Sequence, residues 1–267
     1  MSNIPKIIHQ IWFQGKDNMN KDNRERTETI KKYNPDWKYM FWDENTINDI
    51  VKRDEKTQEK YNSYEYLHQK VDFAKIVILK YYGGIYIDID VKALKSLNGI
   101  LSEFKDYDFI ASYLNNDNTL DQLVACQDTT GCINNGVVLA KENSDVCNYL
   151  IDNFTTGCLY FTPKVLCITA TTGPTIFTSL LKKYKGNEKI LFLPYDYFEP
   201  CVFGGDCDIK DNTYLVHEHN LTWVSENLQV LVRNYLSYKK YLTIIVYFVI
   251  LTLIIYLLYI YDTQSKR

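Results

Sequence analysis

An α/β domain followed by a membrane-crossing helix is what this sequence predicts. Three observations carry that expectation. Isoleucine-rich apolar runs alternate with charged, helix-length segments from the first residues onward, the pattern of strands and helices in an α/β sheet. A double glycine ends a long helical stretch and opens the next apolar run, YYGGIYIDIDV at residues 81–91. Near the C-terminus, Tyr241 to Tyr261 is 21 residues without a charge, roughly 30 Å as a helix and so about the thickness of a bilayer core.

The elements follow in order. IPKIIHQIWF predicts a buried first strand from about Lys6 to Phe13. The charged stretch Asp22 to Tyr33 predicts a surface helix, which Asn34-Pro35-Asp36 breaks. WKYMFW, Trp37 to Trp42, predicts a second strand, after which Asp43 caps a helix running to about Arg53. A strand–helix–strand–helix opening predicts parallel strands. A longer helix is expected from about Ser63 to Tyr82, stopped by Gly83-Gly84, then a strand from Ile85 to Ile89. Further strands are expected at Phe109–Tyr113, Ile133–Ala140, Ile190–Leu193 and Tyr214–His217, with helices after Ser144 and after Pro174. The expected organisation is a catalytic domain over residues 1–232, a link at 233–240, the anchor at 241–261 and a short tail at 262–267.

Composition excludes some functions. Of 267 residues, 46% are apolar and 24% charged, enough for a core in one sizeable domain. A net charge of −3 speaks against a polyanion-binding surface, so nucleic acid is not an expected partner. Seven cysteines form no C-x-x-C pair, which argues against structural zinc. Their odd number forbids complete intramolecular pairing; reduced thiols are the simplest reading, with one or two disulfides left open. The N-terminus lacks the features of a signal peptide. Arg233, Lys239 and Lys240 before the span slightly outweigh the charges after it. That bias favours a cytoplasm-facing domain, with an ER or Golgi lumenal one as the other option. Sequons at Asn153 and Asn220 speak weakly for the lumen.

The acidic pair raises the question of chemistry. Carboxylates are costly to bury unpaired, yet Asp88 and Asp90 follow an apolar run one residue apart. At a strand end both can reach one ion, and oxygen ligands suit magnesium or manganese. Asp72 and Lys75, three apart on the preceding helix, share a face, and the Gly83-Gly84 turn can aim them at the same pocket. A bland surface ion pair is the alternative, but Val71, Phe73, Ala74 and Ile76 surround them with apolar neighbours.

The ordered blocks IPKIIHQIW, VDFAKIVILKYYGGIYIDIDV, NNGVVLAKENS, TTGP, LPYDYFEP and HEHNLTWVS resemble glycosyltransferase family 32. This is the DXD-containing group that includes fungal α-1,6-mannosyltransferases and inositol phosphoceramide mannosyltransferases. The resemblance implies a GT-A fold, a nucleotide-sugar donor (GDP-mannose first, a UDP-hexose next), Mn2+ or Mg2+, and retention of anomeric configuration. It implies that Asp90 binds the metal directly and that Asp88 touches ribose or donor sugar while steadying the ion. Asp72 and Lys75 would bind donor-sugar hydroxyls, and Trp12 would lie beside the base. Asn135, Gly136 and the turn at Gly173 would line the sugar and acceptor side. His217 or His219, with His219 favoured, would be the late metal ligand, and Trp223 would close over the diphosphate. The expected acceptor is a glycan or a glycolipid, with the membrane as a further partner. One departure is Lys75, where the family usually has arginine; lysine keeps the charge but loses the planar fork.

Two rival readings were weighed. An aspartyl-nucleophile phosphatase shares a strand followed by D-x-D, but needs threonine or valine where this chain has Lys92. An inactive, membrane-tethered sugar-binding or scaffold protein is the other; the joint presence of Asp72, Asp88, Asp90 and Trp223 argues against it.

Overall fold

The computed structural model describes residues 3–115, 126, 130–158, 162–202, 207–219 and 245–256. The chain divides into two compact units, Met1–Val202 with Asp206–Asn220, and Phe203–Gly205 with Leu221–Arg267. The first unit is a mixed α/β structure.

Among the described residues, six strands form its main sheet: β1 (Ile7–Ile11), β2 (Lys38–Trp42), β3 (Gly84–Ile87), β5 (Phe109–Tyr113), β6 (Ile133–Ala140) and β7 (Ile190–Leu193), in the order β2-β1-β3-β6-β5-β7. A two-stranded sheet pairs β4 (Val91–Ala93) with β8 (Leu215–His217). The opening strands β1, β2 and β3 are parallel, but β6 runs antiparallel to both β3 and β5. The expectation of parallel strands holds for the opening strands and for β5 with β7, and is corrected at β6. Continuous apolar runs such as β6 reveal burial on both faces, and nothing in them encodes direction.

Helices cover the sheet. α1 (Lys21–Tyr33) starts where the Asn20 side chain accepts from the Asn23 amide, and α2 (Glu44–Val51) starts with a capping box between Asp43 and Thr46. α3 (Glu55–Ser63), α5 (Asn98–Glu103) and α7 (Lys164–Thr171) were not foreseen; α6 (Asp145–Asn153) and α8 (Pro174–Lys183) were. α4 (Leu67–Tyr82) is the central helix, with Phe73 through Leu79 continuously buried, including Lys75. It ends at Gly83 (φ 57°), and Gly84 (φ 96°) follows. A Cβ on Gly84 would lie 2.4 Å from the Ile7 carbonyl oxygen, so only glycine lets β3 draw this close to β1.

Side chains alternate along β3 and β6 between two cores. Tyr86, Val138 and Ala140 join the α4 side with Phe73, Val77 and Phe177. Ile85, Ile87, Val137 and Leu139 join the opposite side with Ile8, Ile30 and Phe198.

Cys126–Cys132, Cys158–Cys167 and Cys201–Cys207 are disulfide-bonded, and Cys147 is a buried thiol. The reading of reduced thiols is thereby corrected: spacing in sequence says nothing about which loops fold back on themselves.

In the second unit, residues 245–256 are helical, and their apolar side chains are exposed. Among the described residues, no helix is long and apolar enough to cross a membrane. The rest of the expected span at 241–261, the link at 233–240 and the tail at 262–267 lie outside the described residues.

Candidate active site

The site forms at the C-terminal end of β3, where three parts of the chain meet. The first is α4. Lys75, with its side chain 2% exposed, places Nζ 2.8 Å from Asp72 Oδ1 and 3.6 Å from Asp88 Oδ1. The same ammonium donates to the Asn135 carbonyl at 3.1 Å and sits 4.9 Å from the centre of the Tyr86 ring. The ammonium is thus in hydrogen-bond range of Asp72 and Asn135 and adds a longer charge contact with Asp88.

The second part is the turn after β3. Asp88 accepts from the Tyr86 hydroxyl at 2.8 Å, and its backbone amide donates to the Gly136 carbonyl at 2.8 Å. Gln10, held by Tyr39, donates to the Asp88 carbonyl at 3.3 Å. The strand stops at Ile87, two residues short of the expected end, so Asp88 and Asp90 occupy the turn. There the backbone can bring both carboxylates toward one point.

The third part is the antiparallel β4–β8 pair, in which Val91 faces His217. This register sets His217 Nε2 3.1 Å from Asp90 Oδ1. One ligand atom each from Asp88, Asp90 and His217 lies within 4.8 Å of the others. His217 or His219 was the expected late ligand, with His219 favoured; the ring that meets Asp90 is that of His217. His219 instead stacks on His217, centroids 4.0 Å apart, with Nε2 3.1 Å from Glu199 Oε2. β8 ends at His217, and His219 adopts φ 50°.

The other expected residues fall as follows. Asn135 donates to Asp72 Oδ1 at 3.0 Å, and Thr172, beside Gly173, donates to Asp72 Oδ2 at 3.3 Å. Gly173 itself is the N-cap residue of α8. Trp12 follows β1, its amide bonded to the Trp42 carbonyl, and its Nε1 is buried with no hydrogen-bond partner among the described residues. Trp223 lies outside the described residues.

Glu199, which the sequence reasoning passed over, and Gly136, which it placed on the sugar side, both shape the site. Glu199 reaches both histidines, with Oε1 3.0 Å from His217 Nδ1. A signal existed in retrospect: two buried histidines two residues apart require an acceptor, and LPYDYFEP supplies an acid. Gly136 leaves the space in which Asp88 and His217 approach. A Cβ there would lie 2.6 Å from His217 Cε1 and 2.9 Å from Asp88 Oδ2. Gly136→Ala is therefore expected to leave the fold intact but displace His217. Turnover should drop on the order of 100-fold, the scale of misplacing a reacting group by ~1 Å; a rate within threefold of the parent would refute the steric account.

Burial and charge set the protonation of these groups. For Lys75, burial disfavours the ammonium, but Asp72 and Asp88 outweigh it and raise its pKa. Burial raises the Asp72 carboxyl, against the pull of Lys75. Burial alone would neutralise Glu199, yet His217 and His219 hold its pKa down to about 2. His217 is raised well above the ordinary histidine range because Glu199 and Asp90 override burial. His219 is lowered, by burial and then by the charge on His217.

A region described as "glycosyltransferase sugar-binding region containing DXD motif" matches residues 20–106, which hold Asp72, Lys75, Asp88 and Asp90. An uncharacterized glycosyltransferase of Acanthamoeba polyphaga mimivirus is 29% identical over 234 residues, covering 82% of this chain and 84% of that protein. The chain is similar to DXD-containing glycosyltransferases. It is also 29% identical over 107 residues to inositol phosphoceramide mannosyltransferase 1 of Schizosaccharomyces pombe, 39% of this chain and 33% of that one. The chain spans about a third of that relative and 26% of the Saccharomyces cerevisiae mannosyl phosphorylinositol ceramide synthase SUR1. Among solved structures, a glycosyltransferase involved in glycosylation of the major capsid of PBCV-1 aligns with TM-score 0.47 and 11% identity, over 85% of this chain and 98% of that one. The matched family region ends before β6, so the roles of Asn135, Glu199 and His217 rest on geometry alone.

Proposed function

We propose that this glycosyltransferase is a metal-dependent, retaining enzyme of the GT-A type. In this reading it moves a hexose, mannose first, from a nucleotide sugar to a lipid or glycan acceptor. The observation that carries the proposal is the convergence of Asp88, Asp90 and His217 at the end of β3. Two carboxylates and an imidazole are a donor set that fits a divalent ion such as manganese or magnesium.

Asp90 and His217 would hold the ion, with Asp88 completing the set. When bound, a divalent cation supplies Lewis-acid stabilisation to the departing diphosphate. Lys75 keeps Asp72 and Asp88 in place, and Asp72 is poised to orient a donor-sugar hydroxyl. Both Asp72 oxygens already accept contacts, from Lys75 and Asn135 on one and Thr172 on the other. Asp72 is thus a holding group and a poor covalent nucleophile. That supports same-face attack by the acceptor hydroxyl over a two-carboxylate route. Trp12, at the same end of the sheet, would lie beside the base, and Trp223 would close over the diphosphate.

The printed names of the fungal relatives favour mannose and an inositol phosphoceramide-like lipid as donor sugar and acceptor. An apolar segment around the exposed helix at 245–256 would bring such a lipid to hand. Three disulfides in the first unit weigh toward an oxidising surrounding for it, against the cytoplasm-facing orientation that the charge bias favoured.

The test is to incubate the purified chain with manganese and GDP-mannose or UDP-hexoses, with and without chelator. Metal-dependent release of nucleoside diphosphate from at least one donor is expected. No turnover with any donor would leave the scaffold reading standing.

A further inference from the structure

We propose that Glu199 is a positioning residue for the cation site: it fixes the tautomer and the aim of His217 so that Nε2 faces Asp90 and a divalent ion. The inference rests on the metal-dependent reading above and assigns a role to a residue outside the D-x-D block.

Glu199 is 0% exposed, and its backbone amide is pinned to the Tyr195 carbonyl at 2.7 Å. A carboxylate in such a place is costly unless it is paired. Its two oxygens meet two imidazoles, His217 Nδ1 at 3.0 Å and His219 Nε2 at 3.1 Å. An ionised carboxylate only accepts, so a proton on Nδ1 of His217 points to Glu199. The opposite nitrogen, Nε2, faces Asp90 3.1 Å away, and its proton is the one a cation held with Asp90 would displace, because Glu199 keeps the other. This is the arrangement in which an outer carboxylate orients a ligating histidine and strengthens its basicity.

A competing contact sharpens the point. The Asn134 side-chain nitrogen lies 3.3 Å from the same Nδ1. An amide donating there would place the proton on Nε2 and spoil that nitrogen as a ligand. The closer, charged oxygen of Glu199 wins this competition. His219 serves as the second anchor. Its φ of 50° is unusual for a residue with a side chain, and in that conformation its ring backs His217 at 4.0 Å with Nε2 3.1 Å from the other Glu199 oxygen.

The experiment measures manganese binding to the full chain by electron paramagnetic resonance, with electron spin-echo detection of nitrogen coupled to the metal. The parent chain is expected to bind manganese with an imidazole nitrogen coupling. Glu199→Gln, which can donate to Nδ1 and so permits the wrong tautomer, should weaken binding by about 10- to 100-fold and diminish that coupling. Glu199→Asp should recover part of both. Equal affinity and coupling in parent and Glu199→Gln would overturn the proposal while leaving the metal reading intact; a parent that binds no manganese would overturn both. Should Glu199→Gln fail to fold, nitrogen-15 spectra of the parent loaded with diamagnetic cadmium decide the matter. A proton on Nδ1 of His217 supports the proposal, and a proton on Nε2 sinks it.

Discussion

Asp90→Asn is expected to lower sugar transfer by at least about 100-fold without unfolding the protein. Asparagine keeps the shape of the side chain and one acceptor oxygen but removes the negative charge that would hold a divalent ion. Lewis-acid stabilisation of a leaving diphosphate is worth several kcal/mol, and each ~1.4 kcal/mol is tenfold in rate. Asp90 sits in a turn with its side chain 18% exposed, so the fold does not depend on its charge. His217 retains Glu199 as a partner and stays in place. Initial rates across a manganese titration check the prediction: higher manganese should recover part of the lost rate, because the damage is to affinity as well as to charge placement. Rates within threefold of the parent at every manganese concentration, with the melting temperature unchanged, would rule out Asp90 as the ion's anchor.

The elements around this site were legible to different degrees, for physical reasons. β5 and β6 were readable to their end residues because apolar runs bounded by turn-forming and charged residues mark strands well. The acidic pair was readable because glycines and a D-x-D turn carry their own signal. Strand direction was not, since β6 is buried on both faces and its apolar run reads the same either way. α3, α5 and α7 escaped because they are short and carry weak stripes. The order of the two histidines was open for a sharper reason. They straddle Glu218 at a strand end, where strand alternation no longer says which ring faces the acidic pair. The strand ends at His217 as expected, and its pairing with Val91 is what brings that ring to Asp90. Glu199 lies 18 residues away in sequence from His217, and only the fold brings its carboxylate to both rings.

Lys75→Met should destabilise the first unit by about 3–5 kcal/mol, the cost of breaking a buried ion pair from one side. Methionine matches the length of the lysine stem, so packing over the Tyr86 ring is largely kept and the charge is what is lost. Asp72 then remains buried beside only Asn135 and Thr172, two neutral donors. Its carboxyl, already raised by burial, rises further because the ammonium that opposed this shift is gone. The sign of the pH dependence follows. In the variant the native state holds the Asp72 proton to higher pH than the unfolded chain does, so stability falls as pH rises above the ordinary carboxylate range and is recovered on acidification. The parent, whose Asp72 is countered by Lys75, should have a shallower fall over the same range. A second substitution, Asp72→Asn, removes the orphaned charge and should restore most of the lost stability, a coupling expected of two groups in direct contact at 2.8 Å. Thermal melts of the parent, Lys75→Met and the double variant at mildly acidic and neutral pH measure all three effects. A Lys75→Met protein as stable as the parent at neutral pH, or a double variant no better than the single one, would mean that the ammonium does not hold this cluster of carboxylates together.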